Sequence, residues 1–355
     1  MGLSKLQNDI LSKPDKKIVI MASAAAGKTM VLTEKVRRIL QSGMDPKEIA
    51  VITFTNMAAD VLRKRLGDDY KDGIFIGTIH SLANRFLVTS GINTSEAINN
   101  EEFDELFELV KQNPHCIKPV SYVLLDEAQD TGPAEFEFIF NMIKPENFFV
   151  VGDMKQAIYQ FKGGDEKLFY KLSTQPDVAT YQLNHNFRNG YNILKFAKTL
   201  IQQNGMFDNS VSLYPVQGEV YKIDYNTKDI IRMIKSQDEN NYKDWAILAR
   251  SNGEVEMMMR LLKKAGIPCD GFKQSRLNKE ELNQKMEDNT IKVLTIHSAK
   301  GLEWKNVVAM GMKYYNAPER NVNYVAATRA KEKLYWVVEP PKWKKKQTSG
   351  VINWE

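Results

Sequence analysis

Short apolar runs alternate with helix-period segments along the first half of the chain: Ile18–Met21, Ile49–Ile52, Ile74–Ile76, Tyr122–Leu125 and Phe148–Val151. Continuous runs of this kind, set between helical segments, predict the strands of a parallel α/β sheet. Each run flows directly into a polar cluster: SAAAGKT, TFTN, GTIHS, DEAQD and GDMKQ respectively. In open α/β sheets the ligand crevice lies beyond the carboxyl ends of the strands, so these clusters are expected to converge on one crevice. The second half repeats the logic. Val220–Ile223, Trp245–Leu248, Lys292–Leu294, Val307–Met310 and Leu334–Val338 read as strands, with polar ends at Arg250 and over Thr295 to Gly301.

A boundary near Tyr181, where a Pro- and Ser-containing stretch ends, divides an N-terminal domain over residues 1–180 from a second over 181–340. Helical spacing at Phe103, Leu106, Phe107 and Val110, set among Glu and Asp, predicts a small acidic helical insertion over about 86–120. The stretch 341–355 is a basic tail, expected to be loose.

Composition narrows the class. At 355 residues the chain is long enough for two domains with cores of their own, and 43% apolar with 26% charged residues is a globular balance. A formal charge of +5 permits a basic groove without demanding nucleic acid. Cys116 and Cys269 supply neither a disulfide framework nor a metal cluster. No apolar run approaches the length needed to span a bilayer, so a soluble, cytoplasmic protein without membrane contact is the expectation.

Ser23-Ala24-Ala25-Ala26-Gly27-Lys28-Thr29 follows a strand and opens a helix, the context a phosphate-binding loop requires. In such a loop the backbone N–H groups at the helix start would face phosphate, Lys28 would reach the β- and γ-phosphates of a nucleotide, and the Thr29 hydroxyl would ligate Mg²⁺. Gly27 is the loop's only glycine, so alanine at any position needing positive φ carries strain. A chance Gly-Lys-Thr at a helix start is the alternative.

Asp126 and Glu127, at a strand end, supply the other half of that chemistry. Asp126 suits Mg²⁺, held mostly through water, and Glu127 suits a general base for the attacking water. Gln156 sits where it could sense the γ-phosphate or that water. Tyr159 and Phe161 are aromatics in a polar loop, suited to stacking bases, although either could pack beneath the sheet instead. Arg188 and Arg329 stand in motif-like settings in the second half. Arginines delivered to a γ-phosphate from another domain couple closure to hydrolysis, while a surface ion pair is the commoner fate of arginine.

Taken in order, these segments resemble the UvrD/Rep-type superfamily 1 helicases over nearly the whole chain. SAAAGKT is similar to motif I, Ile52 to Ala59 to motif Ia, and Gly77-Thr78-Ile79-His80-Ser81 to the strand-binding segment after it. DEAQD resembles motif II, GDMKQAIYQFKGG motif III, Leu183 to Arg188 motif IV, Val293 to Trp304 motif V, and Tyr324 to Lys331 motif VI. The resemblance implies two tandem RecA-like parallel-sheet domains of the P-loop NTPase class. By the same resemblance Gln7 reads adenine, Phe187 stacks on it, Glu303 holds the ribose, and Arg188 and Arg329 contact the γ-phosphate. Phe54, Thr55, Asn56, Thr78, His80, Tyr159, Phe161, Lys162, Arg250, His297 and Lys300 would line a strand track.

Ala25 and Ala26 stand where the family commonly has glycine, Met30 where many relatives have arginine, and Lys162 where arginine is usual. The family's long insertions are reduced here to Phe86–Val120 and Lys273–Thr290. The expectation is an ATP-dependent 3′→5′ translocase or helicase acting as a monomer on single-stranded DNA, or on a duplex with a 3′ single-stranded tail. A replication, repair or recombination protein would be its partner. The alternative is a nucleotide-gated strand-binding or loading module without processive movement.

Overall fold

A computed structural model describes residues 2–67, 72–202, 208–272, 277, 279–312, 317–338 and 350–351. The chain forms two compact units, Met1–Ala22 with Ala26–Leu183, and Ser23–Ala25 with Asn184–Glu355.

The first unit is built on strands β1 Lys17–Ala22, β2 Ile49–Ile52, β3 Phe75–Gly77, β4 Tyr122–Leu125, β5 Asn147–Gly152 and β6 Ala179–Leu183. They pair in parallel in the order β3-β2-β4-β5-β1-β6. Side chains alternate across the sheet, so both faces need cover. Ile18, Ile20, Val51, Leu124 and Phe149 join one apolar layer, and Val19, Ala50, Ile52, Val123 and Val150 the other. Helices α1 Lys5–Leu11, α2 Lys28–Gln41 and α3 Asn56–Leu66 supply the first cover. Helix α4 Ile79–Thr89, the short α5 Ser95–Asn99, and α6 Glu105–Gln112 contribute to the second, followed by α7 Pro133–Glu137 and α8 Glu166–Ser173. The helices between β3 and β4 include the acidic segment, with Leu106, Phe107 and Val110 buried and Phe103 exposed.

Tyr181, the expected crossing point, lies inside β6, opposite Ile20 of β1, and the first unit continues to Leu183. The alternating exposure of β6 explains the difference: its polar positions face water at a sheet edge, so no apolar run marks it.

In the second unit β7 His185–Asn186 and β8 Val211–Ser212 form a small pair. The main sheet contains β9 Glu219–Asp224, β10 Trp245–Ala249, β11 Cys269–Asp270, β12 Ile291–Thr295, β13 Trp304–Met312, β14 Ala330–Val338 and β15 Gly350–Val351. Its order is β11-β12-β10-β13-β14-β9-β15, with β15 antiparallel to β9 and the other pairings parallel. Helices α9 Tyr191–Gln202, α10 Thr227–Lys235, α11 Asn252–Lys264, α12 Lys279–Glu287 and α13 Ala317–Ala327 accompany it. Ile247, Val293, Val308 and Val337 pack with Ile230, Ile234, Met258 and Leu262 in one apolar layer. The predicted loose tail lies largely outside the described residues, but Gly350–Val351 within it is paired strand.

Candidate nucleotide and strand site

The phosphate loop joins β1 to α2. Gly27 caps α2 with φ +78°, a conformation suited to glycine. A methyl carbon there would sit 2.7 Å from the Gln7 amide nitrogen. Gln7 is buried, donates from Nε2 to the Ala26 carbonyl at 2.9 Å, and closes a capping box with Ser4 at the start of α1. Ala25 has φ +56°, which confirms an alanine in the left-handed region. Ser23, Ala24 and Ala26 are buried. Ser23–Ala25 go with the second unit, where the Ala24 and Ala25 carbonyls accept from Asn186 Nδ2 and the Phe187 N–H.

Lys28 and Thr29 face the end of β4. The Lys28 ammonium lies 2.9 Å from Glu127, and Thr29 Oγ1 donates to Asp126 Oδ2 at 3.3 Å. Burial alone would lower the Lys28 pKa, but Glu127, Asp153 and Asp126 together raise it above the ordinary lysine value. Burial, with repulsion from Glu127, pushes the Asp126 carboxyl up to about 6 against the pull of Lys28. A hydroxyl beside a buried carboxylate is a hard-oxygen donor pair, and this one stands next to a phosphate-type lysine, so it fits Mg²⁺. Glu127 adopts φ +54° and its carboxylate accepts from Gln129 Nε2 at 2.6 Å. Gln129 Oε1 accepts in turn from the Asp153 N–H at 2.8 Å, and Gln156 Nε2 donates to Asp153 Oδ2 at 2.7 Å. The ends of β4 and β5 are thereby connected through side chains, and Gln156 is buried within the connection.

The proposed strand residues of this unit divide by behaviour. Phe54 and Tyr159 stack with ring centroids 4.9 Å apart and planes 19° apart. Lys162 Nζ lies 5.3 Å from the Tyr159 ring centroid, while Phe161 is 68% exposed. Tyr159 thus packs against Phe54, and burial with the nearby Asp130 and Glu127 raises its hydroxyl pKa. The Thr55 and Thr78 hydroxyls accept from Ala58 N–H and Ser81 N–H, capping α3 and α4, while Asn56 is exposed at the first turn of α3. His80 is half-buried, 3.5 Å from Asp104 and 3.8 Å from Glu135, with its ring 5.0 Å from that of Phe107.

In the second unit Arg188 and Glu303 form an ion pair, and Lys331 Nζ lies 2.7 Å from the other Glu303 oxygen. Burial works against the Glu303 charge, but Arg188 and Lys331 outweigh it and hold the carboxyl at about 2. Arg329 is buried and donates to the carbonyls of Val325 at 3.0 Å and Leu302 at 3.2 Å. The Phe187 ring lies edge-on to His185, 6.2 Å away. Arg250 pairs with Glu319 at 3.0 Å and donates to Asn323 at 3.2 Å. His297 and Lys300 are half-buried in the turn after β12.

Gln129, Asp153, Asn186, Asn189 and Lys331 organise these groups but were not singled out from sequence. They lie within the polar segments already recognised, so proximity in the chain was a signal. Their partners were not legible.

The UvrD/REP helicase N-terminal domain matches residues 3–115 and 102–177, and the UvrD-like helicase C-terminal domain matches residues 272–339. The ATP-dependent DNA helicase PcrA of Leuconostoc citreum is 24% identical, over 75% of this chain and 49% of its own. The ATP-dependent DNA helicase Rep of Buchnera aphidicola subsp. Baizongia pistaciae is 26% identical, over 70% and 52%. A probable DNA helicase of Mycoplasma pneumoniae is 23% identical, over 90% and 80%. The chain spans about half the length of the first two.

Proposed function

Because the chain belongs to the UvrD/Rep helicase family, whose domains are RecA-like P-loop folds, we propose that it is an ATP-driven motor moving along single-stranded DNA. The observation that carries this reading is the convergence of Lys28, Thr29, Asp126 and Glu127, with the first pair opening a helix and the second ending a strand. Scattered charges do not produce that arrangement.

In the proposed cycle Gln7 and Phe187 receive adenine, and the ribose falls to Glu303. Loop N–H groups and Lys28 take the phosphates. Thr29 and Asp126 would hold Mg²⁺, which when bound neutralises phosphate charge. Once the γ-phosphate engages Lys28, Glu127 is released from its ion pair and accepts a proton from water. The water oxygen bonds to the γ-phosphorus as the bond to the β-phosphate oxygen breaks. Gln156 orients that water, and Arg188 and Arg329 offset the charge on the transferring phosphoryl group. Phe54, Tyr159 and Phe161 offer stacking surfaces, while Thr55, Asn56, Thr78, His80, Lys162, Arg250, His297 and Lys300 complete the track. Changes in nucleotide state are converted into strand movement with 3′→5′ polarity by closure and reopening of the two domains.

ATP hydrolysis by the wild type and Lys28→Ala, with and without single-stranded DNA at fixed salt, tests the motor. DNA-stimulated hydrolysis lost in the variant is the expected result. Hydrolysis indifferent to DNA would favour a nucleotide-gated binding or loading module instead. ATP-dependent separation of a 3′-tailed duplex, absent on a 5′-tailed one, is the further result expected of a 3′→5′ helicase.

A further inference from the structure

Glu303 is held by two cations on different oxygens: Arg188 on Oε2, and Lys331 Nζ on Oε1 at 2.7 Å. Arg188 also donates to the Thr328 carbonyl at 3.3 Å. Its backbone is fixed independently of these contacts. The Arg188 N–H donates to Asn186 Oδ1 at 3.0 Å, and the Asn189 N–H donates to the same oxygen at 2.8 Å. Asn189 Nδ2 donates to the carbonyls of Thr328 and Ala330, and the Gly190 N–H to the carbonyl of Lys331 at 2.9 Å. Both asparagines are fully buried. Residues 186–190 are therefore stitched to residues 328–331 through Asn189 and Gly190, by bonds that do not involve the Arg188 side chain.

We propose that Lys331 is a positioning residue that allows Arg188 to leave Glu303 for the γ-phosphate. This rests on the nucleotide-hydrolysing reading above. When the guanidinium departs, a partly buried carboxylate would otherwise lose its counter-charge, and desolvation makes that expensive. Lys331 keeps one oxygen neutralised, so the departure leaves an ion pair rather than a lone anion. The vacated Oε2 is then available to accept a ribose hydroxyl. Without Lys331, Glu303 has Arg188 as its sole ion-pair partner of the two and retains it. The resting pair acts as a latch, and Lys331 sets how easily it opens.

The test compares steady-state ATP hydrolysis, stimulated by a poly-dT oligonucleotide, in wild type, Lys331→Met, Lys331→Gln, Lys331→Arg and the double variant Lys331→Met/Glu303→Gln. Thermal unfolding selects the folded variants. The expected result is a fall of about tenfold in kcat for Met and Gln, with a smaller change in KM for ATP. Lys331→Arg should stay near wild type. Glu303→Gln in the Met background should recover part of the lost kcat, because a neutral amide no longer retains Arg188, while its own loss of ribose contact raises KM. A merely structural lysine would not give that recovery. An unimpaired kcat in both neutral variants, or a double variant no faster than Lys331→Met, would overturn the latch while leaving the motor intact. A wild type without DNA-stimulated hydrolysis would overturn the motor reading and the latch with it.

Discussion

Alanine at residue 25 is the clearest case of a side chain working against its backbone. Its φ of +56° places a Cβ where the left-handed region costs an L-residue about 1–2 kcal/mol. Ala25→Gly removes that strain but adds unfolded-chain freedom, which returns about 0.4–1 kcal/mol. A net stabilisation of up to about 1.6 kcal/mol is therefore expected. It would be read as a higher Tm, together with a lower KM for ATP from a loop that adjusts at less cost. Gly27 has the opposite logic, because φ is +78° and an added Cβ would fall 2.7 Å from Gln7 Nε2. Gly27→Ala must displace the Gln7 amide from the Ala26 carbonyl, and a loss of about 1–3 kcal/mol in stability is expected in chemical denaturation. Sequence made the suspicion about residue 25 possible, since an alanine-rich loop after a strand is legible. That Gly27 also makes room for Gln7 was not, because nothing in the spacing of residues 7 and 27 places them together.

At the scale of elements, β12 carries an unusual passenger. Lys292 is fully buried, and its ammonium donates to the carbonyls of Asp288 at 2.7 Å and Thr290 at 2.8 Å. Burial lowers its pKa to about 8 despite the attraction of Asp270 and Asp288. Below pH 8 the lysine is charged in both states, so its desolvation penalty is constant. As pH rises from 8 toward the ordinary lysine value of about 10.4, the unfolded state holds more protons than the folded one, and stability increases. Wild type should gain stability relative to Lys292→Met across that window. Urea unfolding at pH 7, 8, 9 and 10 measures the difference, and parallel curves would refute the assignment. The run Lys292–Leu294 marked this strand from sequence, but the burial of its lysine came from the neighbouring β10 and β11.

For the whole molecule, the motor proposed above, with its modest charge of +5, is expected to divide its strand affinity between phosphate contacts and stacking. The two contributions separate with salt. Phe54→Ala is expected to weaken single-stranded DNA binding by about 1–3 kcal/mol while leaving the slope of log affinity against log salt unchanged. Lys300→Ala is expected to reduce that slope by about 0.7, the value for one phosphate contact on a single strand. Fluorescence anisotropy over a salt series distinguishes them. Equal slopes for wild type and Lys300→Ala would remove Lys300 from the track.

The parallel α/β class, the core strand runs and the order of the polar clusters were determined by sequence alone. Four-residue apolar runs such as Ile49–Ile52 and Tyr122–Leu125 can be buried only on both faces, and each strand hands its C-terminal end to the next polar cluster. Tertiary structure decided which partners these charged and polar groups meet. Thr55 and Thr78 became helix caps, Arg329 turned to backbone carbonyls, and Glu303 took two cations. It also made an edge strand of Ala179–Leu183, whose half-polar pattern carries no apolar signal. The physical reason is range: hydrophobic periodicity is local along the chain, whereas an ion pair such as Arg188–Glu303 requires residues far apart in sequence to meet at hydrogen-bond distance.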